Sequence, residues 1–113
     1  MDCLFCGMVR GEVPARIVYE DPEAIVIRDI NPQAPTHLLV IPRKHYASVH
    51  EVPPSEAGFF DGLFRAVAAA VARENLDSYG YRLVVNSGRR AGQSVFHIHV
   101  HILSGRPLHW PPG

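Results

Sequence analysis

The sequence predicts an antiparallel α+β fold in which a five-stranded sheet packs on one long helix. Two observations carry this. Five extended segments rich in β-branched residues are separated mostly by short turn signals, and only one stretch repeats apolar residues at helical spacing. The length of 113 residues and an apolar content of 47% suit one domain, residues 1–113, with a core of its own.

Arg16 to Glu20 reads as a short strand, Asp21-Pro22 as a turn, and Ala24 to Arg28 as the returning strand of a hairpin. Asn31 to Pro35, with two prolines, breaks the pattern and reads as a loop. His37 to Pro42 is an apolar, β-branched third strand. The helix is expected to start near Ser55, an N-cap after Pro53-Pro54. Phe60, Leu63, Phe64, Val67 and Val71 form its apolar stripe, with Asp61, Arg65 and Arg73 off it. It fades between Asn75 and Gly80. Tyr81 to Asn86 is the fourth strand and Ser94 to Leu103 the fifth.

Eleven basic residues balance eleven acidic ones. Zero net charge argues against a nucleic acid or a membrane surface as a partner held by bulk charge. No apolar run approaches the roughly 20 residues of a membrane span. The N-terminus has neither the basic region nor the long apolar stretch of a secretory signal, so the expected compartment is cytoplasmic.

Three of the seven histidines fall within five positions. Phe96-His97-Ile98-His99-Val100-His101-Ile102 alternates without a break. In a strand this puts His97, His99 and His101 on one face and the four apolar side chains on the other, against the helix. At about 3.3 Å per residue the outer two histidines stand about 13 Å apart, too far for all three to share one metal ion. A row of imidazoles instead suits nucleophilic attack and proton transfer near neutral pH. The preceding Asn86-Ser87-Gly88 and Ala91-Gly92-Gln93-Ser94 offer glycines, hydroxyls and backbone N–H groups that can cradle a phosphate.

His97-Ile98-His99-Val100-His101-Ile102-Leu103 resembles the signature of the histidine-triad superfamily. Residues 30–37, Leu39-Val40-Ile41-Pro42, Val85-Asn86, Gly92-Gln93-Ser94-Val95 and the ending His109-Trp110-Pro111-Pro112-Gly113 are similar to its Hint branch, the histidine-triad nucleotide-binding proteins. That resemblance implies a purine nucleoside phosphoramidase acting on AMP-amine or GMP-amine conjugates. His99 would attack phosphorus, forming a nucleotidyl-histidine. His101 would polarise the phosphate oxygens, and His97 and His37 would orient the nucleophile. Ser94 and the backbone near Gln93 would meet the phosphate and the leaving group. Asp29 would accept the ribose hydroxyls, and Phe5, Met8, Ile27 and Ile30 would wall the base. Asn86, Gly92 and Val95 complete the implied nucleotide contacts. No cofactor is required for that chemistry.

The resemblance also implies a homodimer that joins two sheets into one. A tryptophan between His109 and Pro111-Pro112 is a poor core residue, because prolines oppose regular structure. Trp110 is therefore expected to reach the partner's leaving-group side. Cys3-Leu4-Phe5-Cys6 alone is open to metal binding, redox chemistry or free thiols. Many bacterial members of the family bind structural zinc through such a pair, the histidine here at His45, and the first triad histidine, His97. Other Hint members lack the cysteines. The competing functions are a dinucleoside polyphosphate hydrolase or nucleotidylyltransferase, a regulatory nucleotide-binding protein, and a purely metal-binding module.

Overall fold

The computed structural model describes residues 3–113. Its elements are α1 (Leu4–Val9), β1 (Ile17–Glu20), β2 (Ala24–Arg28), β3 (Thr36–Pro42), α2 (Gly58–Arg73), β4 (Tyr81–Val84) and β5 (Val100–Ser104). The five strands form one antiparallel sheet in the order β1-β2-β3-β5-β4. Among the described residues no helix is long and apolar enough to cross a membrane.

The β2–β3 register sets the two faces. Ala24, Val26, Leu38 and Val40 point to α2, where Ile98, Val100 and Ile102 join them in the main core. Ile25, Ile27, Leu39 and Ile41 point the other way and are covered by Phe5 of α1. Both faces of these central strands are thus buried, so β2 and β3 read as continuous apolar runs.

The helix α2 and the strand β5 differ from the sequence expectation. The helix starts at Gly58, because Pro54–Glu56 forms a separate 3-10 turn that takes up Ser55. Its buried face is Gly62, Leu63, Ala66, Val67, Ala70 and Val71, while Phe64 points outward. Small side chains let the helix approach the sheet closely, so the stripe is rotated toward alanine and away from phenylalanine. The fifth strand begins only at Val100. Residues 93–99 run outside the ladder, although the Ile98 N–H still donates to the Tyr46 carbonyl at 2.8 Å. Phe96 is 43% exposed and leaves the apolar face that Ile98, Val100 and Ile102 keep.

Candidate active site

His37, His99, His101 and Asp29 meet on the face of the sheet opposite α2. His37 lies across from Leu103, and His101 across from Leu39, so the two imidazoles are diagonal neighbours on β3 and β5. Nδ1 of His37 accepts the Gln33 backbone N–H at 3.0 Å, which puts the ring proton on Nε2. That Nε2–H donates to Nδ1 of His101 at 2.9 Å, with the Asp29 carboxylate 3.5 Å away. His101 consequently carries its proton on Nε2 and presents a donor. His99 has the opposite tautomer. Its Nδ1–H donates to the His97 carbonyl at 2.7 Å, which leaves Nε2 a bare lone pair. The two ring centres are 5.0 Å apart. A donor and a nucleophilic nitrogen therefore stand side by side.

Burial holds these rings neutral. It pushes His97 and His101 down to about 4, and it lowers His99 and His37 as well. Neighbouring imidazoles add to the effect at His97 and His101, whereas Asp29 opposes it at His37, His99 and His101. At His99 desolvation in the buried site is the largest cause.

The His97 ring turns away from His99, so its link to the nucleophile runs through its carbonyl. Its Nε2–H donates to the Pro42 carbonyl at 2.8 Å, which leaves Nδ1 unprotonated. Around that one lone pair lie Sγ of Cys3 at 3.4 Å, Sγ of Cys6 at 3.6 Å and Nδ1 of His45 at 3.0 Å. A single lone pair can accept from only one of the three. A tetrahedral zinc with bonds of about 2.3 Å to sulfur and about 2.0–2.1 Å to nitrogen has S···N edges of about 3.6 Å and N···N edges of about 3.3 Å. The four atoms, all within 4.8 Å of one another, fit that ion. Asp29, His37 and His101 are equally close. They do not fit a metal, because Nδ1 of His37 is taken by an amide and Nε2 must keep its proton.

Beside the imidazoles is a cavity of about 190 Å³, lined by Phe5, Met8, Ile27, Asp29, Ser94 and Val95. Ile30 lies at its mouth and is almost wholly exposed, so it forms a rim rather than a wall. The loop after β4 closes the other side. It turns through Gly88 and Gly92 at φ of +91° and +103°, where a side chain would be strained. A Cβ on Gly92 would also stand 3.5 Å from the Asn86 amide. Gln93 pins the loop: its amide donates to the Ala47 and Val95 carbonyls and accepts from the Gly88 N–H and the Ser48 hydroxyl. Every hydrogen-bonding position of that side chain is used internally, and the Gln93 backbone N–H donates to the Gly88 carbonyl at 3.1 Å, so Gln93 shapes the loop and offers no free donor of its own. Ser94 is exposed beside it. Trp110 is 82% exposed and touches none of these groups within its own chain.

The HIT domain model matches residues 10–108. The chain belongs to the HIT family. A crystal structure of a HIT family hydrolase from Legionella pneumophila superposes with a TM-score of 0.94 at 45% identity, covering 99% of this chain and 100% of that one. A 14 kDa zinc-binding protein of Zea mays is 43% identical over 97% of this chain and 87% of its own. A histidine triad nucleotide-binding protein from Candida albicans superposes with a TM-score of 0.83 at 30% identity, covering 97% of this chain and 83% of that one.

Within this HIT fold, sequence reasoning missed Leu4, Arg28 and Leu39, which also line the cavity. Leu39 had a signal: it is two residues from His37 on one strand and so shares its face. The six-residue α1 is too short to show periodicity, and nothing in the sequence pointed to Leu4.

Proposed function

We propose that this HIT protein is a purine nucleoside phosphoramidase of the Hint branch, a single HIT domain that cleaves the P–N bond of AMP-amine or GMP-amine conjugates. The observation that carries the reading is the 2.7 Å bond from His99 Nδ1–H to the His97 carbonyl, because it aims a bare Nε2 beside the donor on His101. The likeness to a nucleotide-binding protein and a hydrolase supports the substrate class and the type of reaction.

In this reading the base enters the apolar cavity and the ribose hydroxyls donate to Asp29. The phosphate sits between His101 Nε2–H and the backbone near Gln93, where growing negative charge is stabilised. The His99 Nε2 lone pair bonds to phosphorus as the P–N bond breaks. The departing nitrogen takes the electron pair and a proton from the Ser94 hydroxyl, which regains one from solvent. Water then attacks phosphorus, AMP leaves, and neutral His99 is restored. The net change is conjugate plus water to AMP plus amine. His37 and His97 are positioning residues that fix the two tautomers.

Cys3, Cys6, His45 and His97 hold a structural zinc, whose four protein ligands leave no open position. The cytoplasm keeps such thiols reduced and able to bind metal. Two chains pair through β4.

Rapid quenching during turnover of AMP joined to a primary amine, followed by peptide mass spectrometry, should find AMP on His99. A chain that turns over such conjugates with no adduct, or that keeps near-normal kcat as His99→Gly, contradicts the mechanism.

A further inference from the structure

The six-residue α1 stands outside the hydrogen bonding of the sheet. Among the described residues its backbone bonds stay within residues 3–13: the Gly7 N–H donates to the Cys3 carbonyl, and the Glu12 and Val13 N–H groups donate to the Gly7 carbonyl. Side chains alone therefore hold this helix on the sheet. At its middle, Phe5 is buried with Ile25, Ile27, Leu39 and Ile41. At its start, the Cys3 and Cys6 sulfurs lie against Nδ1 of His97 and of His45.

The same helix touches the nucleophile. The Phe5 ring meets the His99 ring at 79°, with centres 5.0 Å apart, and the His97 ring with centres 5.9 Å apart. Leu4, Phe5 and Met8 line the apolar cavity. A shift of α1 thus reaches the cavity wall and His99 together. The two cysteines are also placed to bond to each other. Cys3 is the extended N-cap, and Cys6 is the third helical residue, whose N–H donates to the Cys3 sulfur at 3.4 Å. Residues three apart on such a turn are neighbours, within the span of a disulfide. Both are half-buried rather than enclosed, so a small oxidant reaches them. The chain has no third cysteine to compete.

We propose, resting on the zinc and nucleotide assignments above, that Cys3 and Cys6 are a peroxide-sensitive pair whose oxidation to a disulfide releases the zinc, loosens α1 and so weakens nucleotide binding. One thiolate sulfur attacks hydrogen peroxide. The O–O bond breaks, giving a sulfenic acid and hydroxide. The second thiolate attacks that sulfur, the S–S bond forms, and the S–O bond breaks to release a second hydroxide. Two protons from solvent turn the hydroxides into water. The two thiolates lose two electrons and hydrogen peroxide gains them. His45 and His97 remain, and two imidazoles do not complete a tetrahedral zinc site, so the ion departs. A six-residue helix is unstable alone, so without that tie its start leaves the sheet. A thiol reductant and zinc reverse the change.

The test treats the zinc-loaded protein with hydrogen peroxide. It follows zinc released to a chromophoric chelator, the mass of the peptide spanning Cys3 and Cys6, and AMP affinity by calorimetry. About one zinc per chain should appear in step with the loss of two hydrogen atoms from that peptide. AMP binding should weaken about tenfold, the scale of a disturbed apolar pocket wall. Dithiothreitol with added zinc should restore both. That recovery separates the disulfide from sulfoxide formation at Met8, which needs a dedicated reductase to reverse. Cys3→Ser/Cys6→Ser should show no further response to peroxide. Thiols that stay reduced, zinc released with AMP affinity unchanged, or a loss that persists after reduction overturn the inference and leave the phosphoramidase reading standing. Protein purified without chelator that holds no zinc removes the metal assignment and this inference together. Reduced, zinc-loaded protein that fails to bind AMP removes the nucleotide reading and the inference with it.

Discussion

His99 and His101 present Nε2 to the same space in opposite protonation states, and two backbone groups decide this. The Gln33 N–H sets His37 and through it His101, and the His97 carbonyl sets His99. His99→Gly should lower turnover by at least about 10³-fold while AMP binding, followed by calorimetry, stays within a few-fold. The low value of His101, about 4, carries a pH consequence. Above pH 6.5 the ring is neutral in both folded and unfolded chains and adds no pH dependence. Below it the unfolded chain binds the proton first, so stability falls as the pH drops from about 6.5 toward 4. The acid loss of Tm should therefore be smaller in His101→Asn than in wild type, and equal slopes would contradict the assignment. The row of imidazoles was legible because alternation is written in the chain. The tautomers were not, because their partners come from Gln33 and from a carbonyl that is free only where the ladder has stopped.

The cluster of Cys3, Cys6, His45 and His97 and the apolar cavity share one short helix. Cys3 caps α1 by accepting the Cys6 N–H at 3.4 Å, and Leu4, Phe5 and Met8 of the same helix wall the cavity. Six residues make a helix that is unstable alone, so its place depends on what ties its start. Protein purified without chelator should contain about one zinc per chain, and Cys3→Ser/Cys6→Ser should lose it, lower Tm and weaken AMP binding together. Metal well below one per chain, or a double variant with unchanged Tm and AMP affinity, removes the structural role. In α2 the test is steric. Ala66 is fully buried at the sheet, so Ala66→Leu should cost about 1–3 kcal/mol, whereas Phe64→Leu on the outer face should cost much less. Chemical denaturation measures both. The sequence pattern located this helix from its Leu63, Val67 and Val71 repeat. It overrated Phe60 and Phe64, since apolar size says nothing about which side chains fit the gap between helix and sheet.

At the scale of the molecule, the sheet is covered unevenly. α2 packs over β1, β2 and β3, which leaves the same face of β4 open. Leu83 lies opposite Ile102 of the core, so Tyr81, Leu83 and Val85 continue that apolar face into water along an unpaired edge. An edge strand with an apolar face invites another strand. The proposed dimer would satisfy this: a two-fold axis beside β4 would pair the two edges and lay each uncovered face against the partner's helix side, where Phe64 is exposed. The C-terminal tail runs to the same edge, since Arg82 of β4 donates to the His109 carbonyl at 2.9 Å, and it carries Trp110 outward next to the seam. Sedimentation should give a dimer at micromolar concentration, and Leu83→Arg should yield a monomer that keeps its fold by circular dichroism. Deleting residues 108–113 should alter the ranking of amine leaving groups more than AMP affinity, because in the proposed dimer Trp110 would approach the site across the seam. A monomeric wild type sinks the dimer. An equal loss on every leaving group would instead mean that the tail holds the seam together without shaping the site.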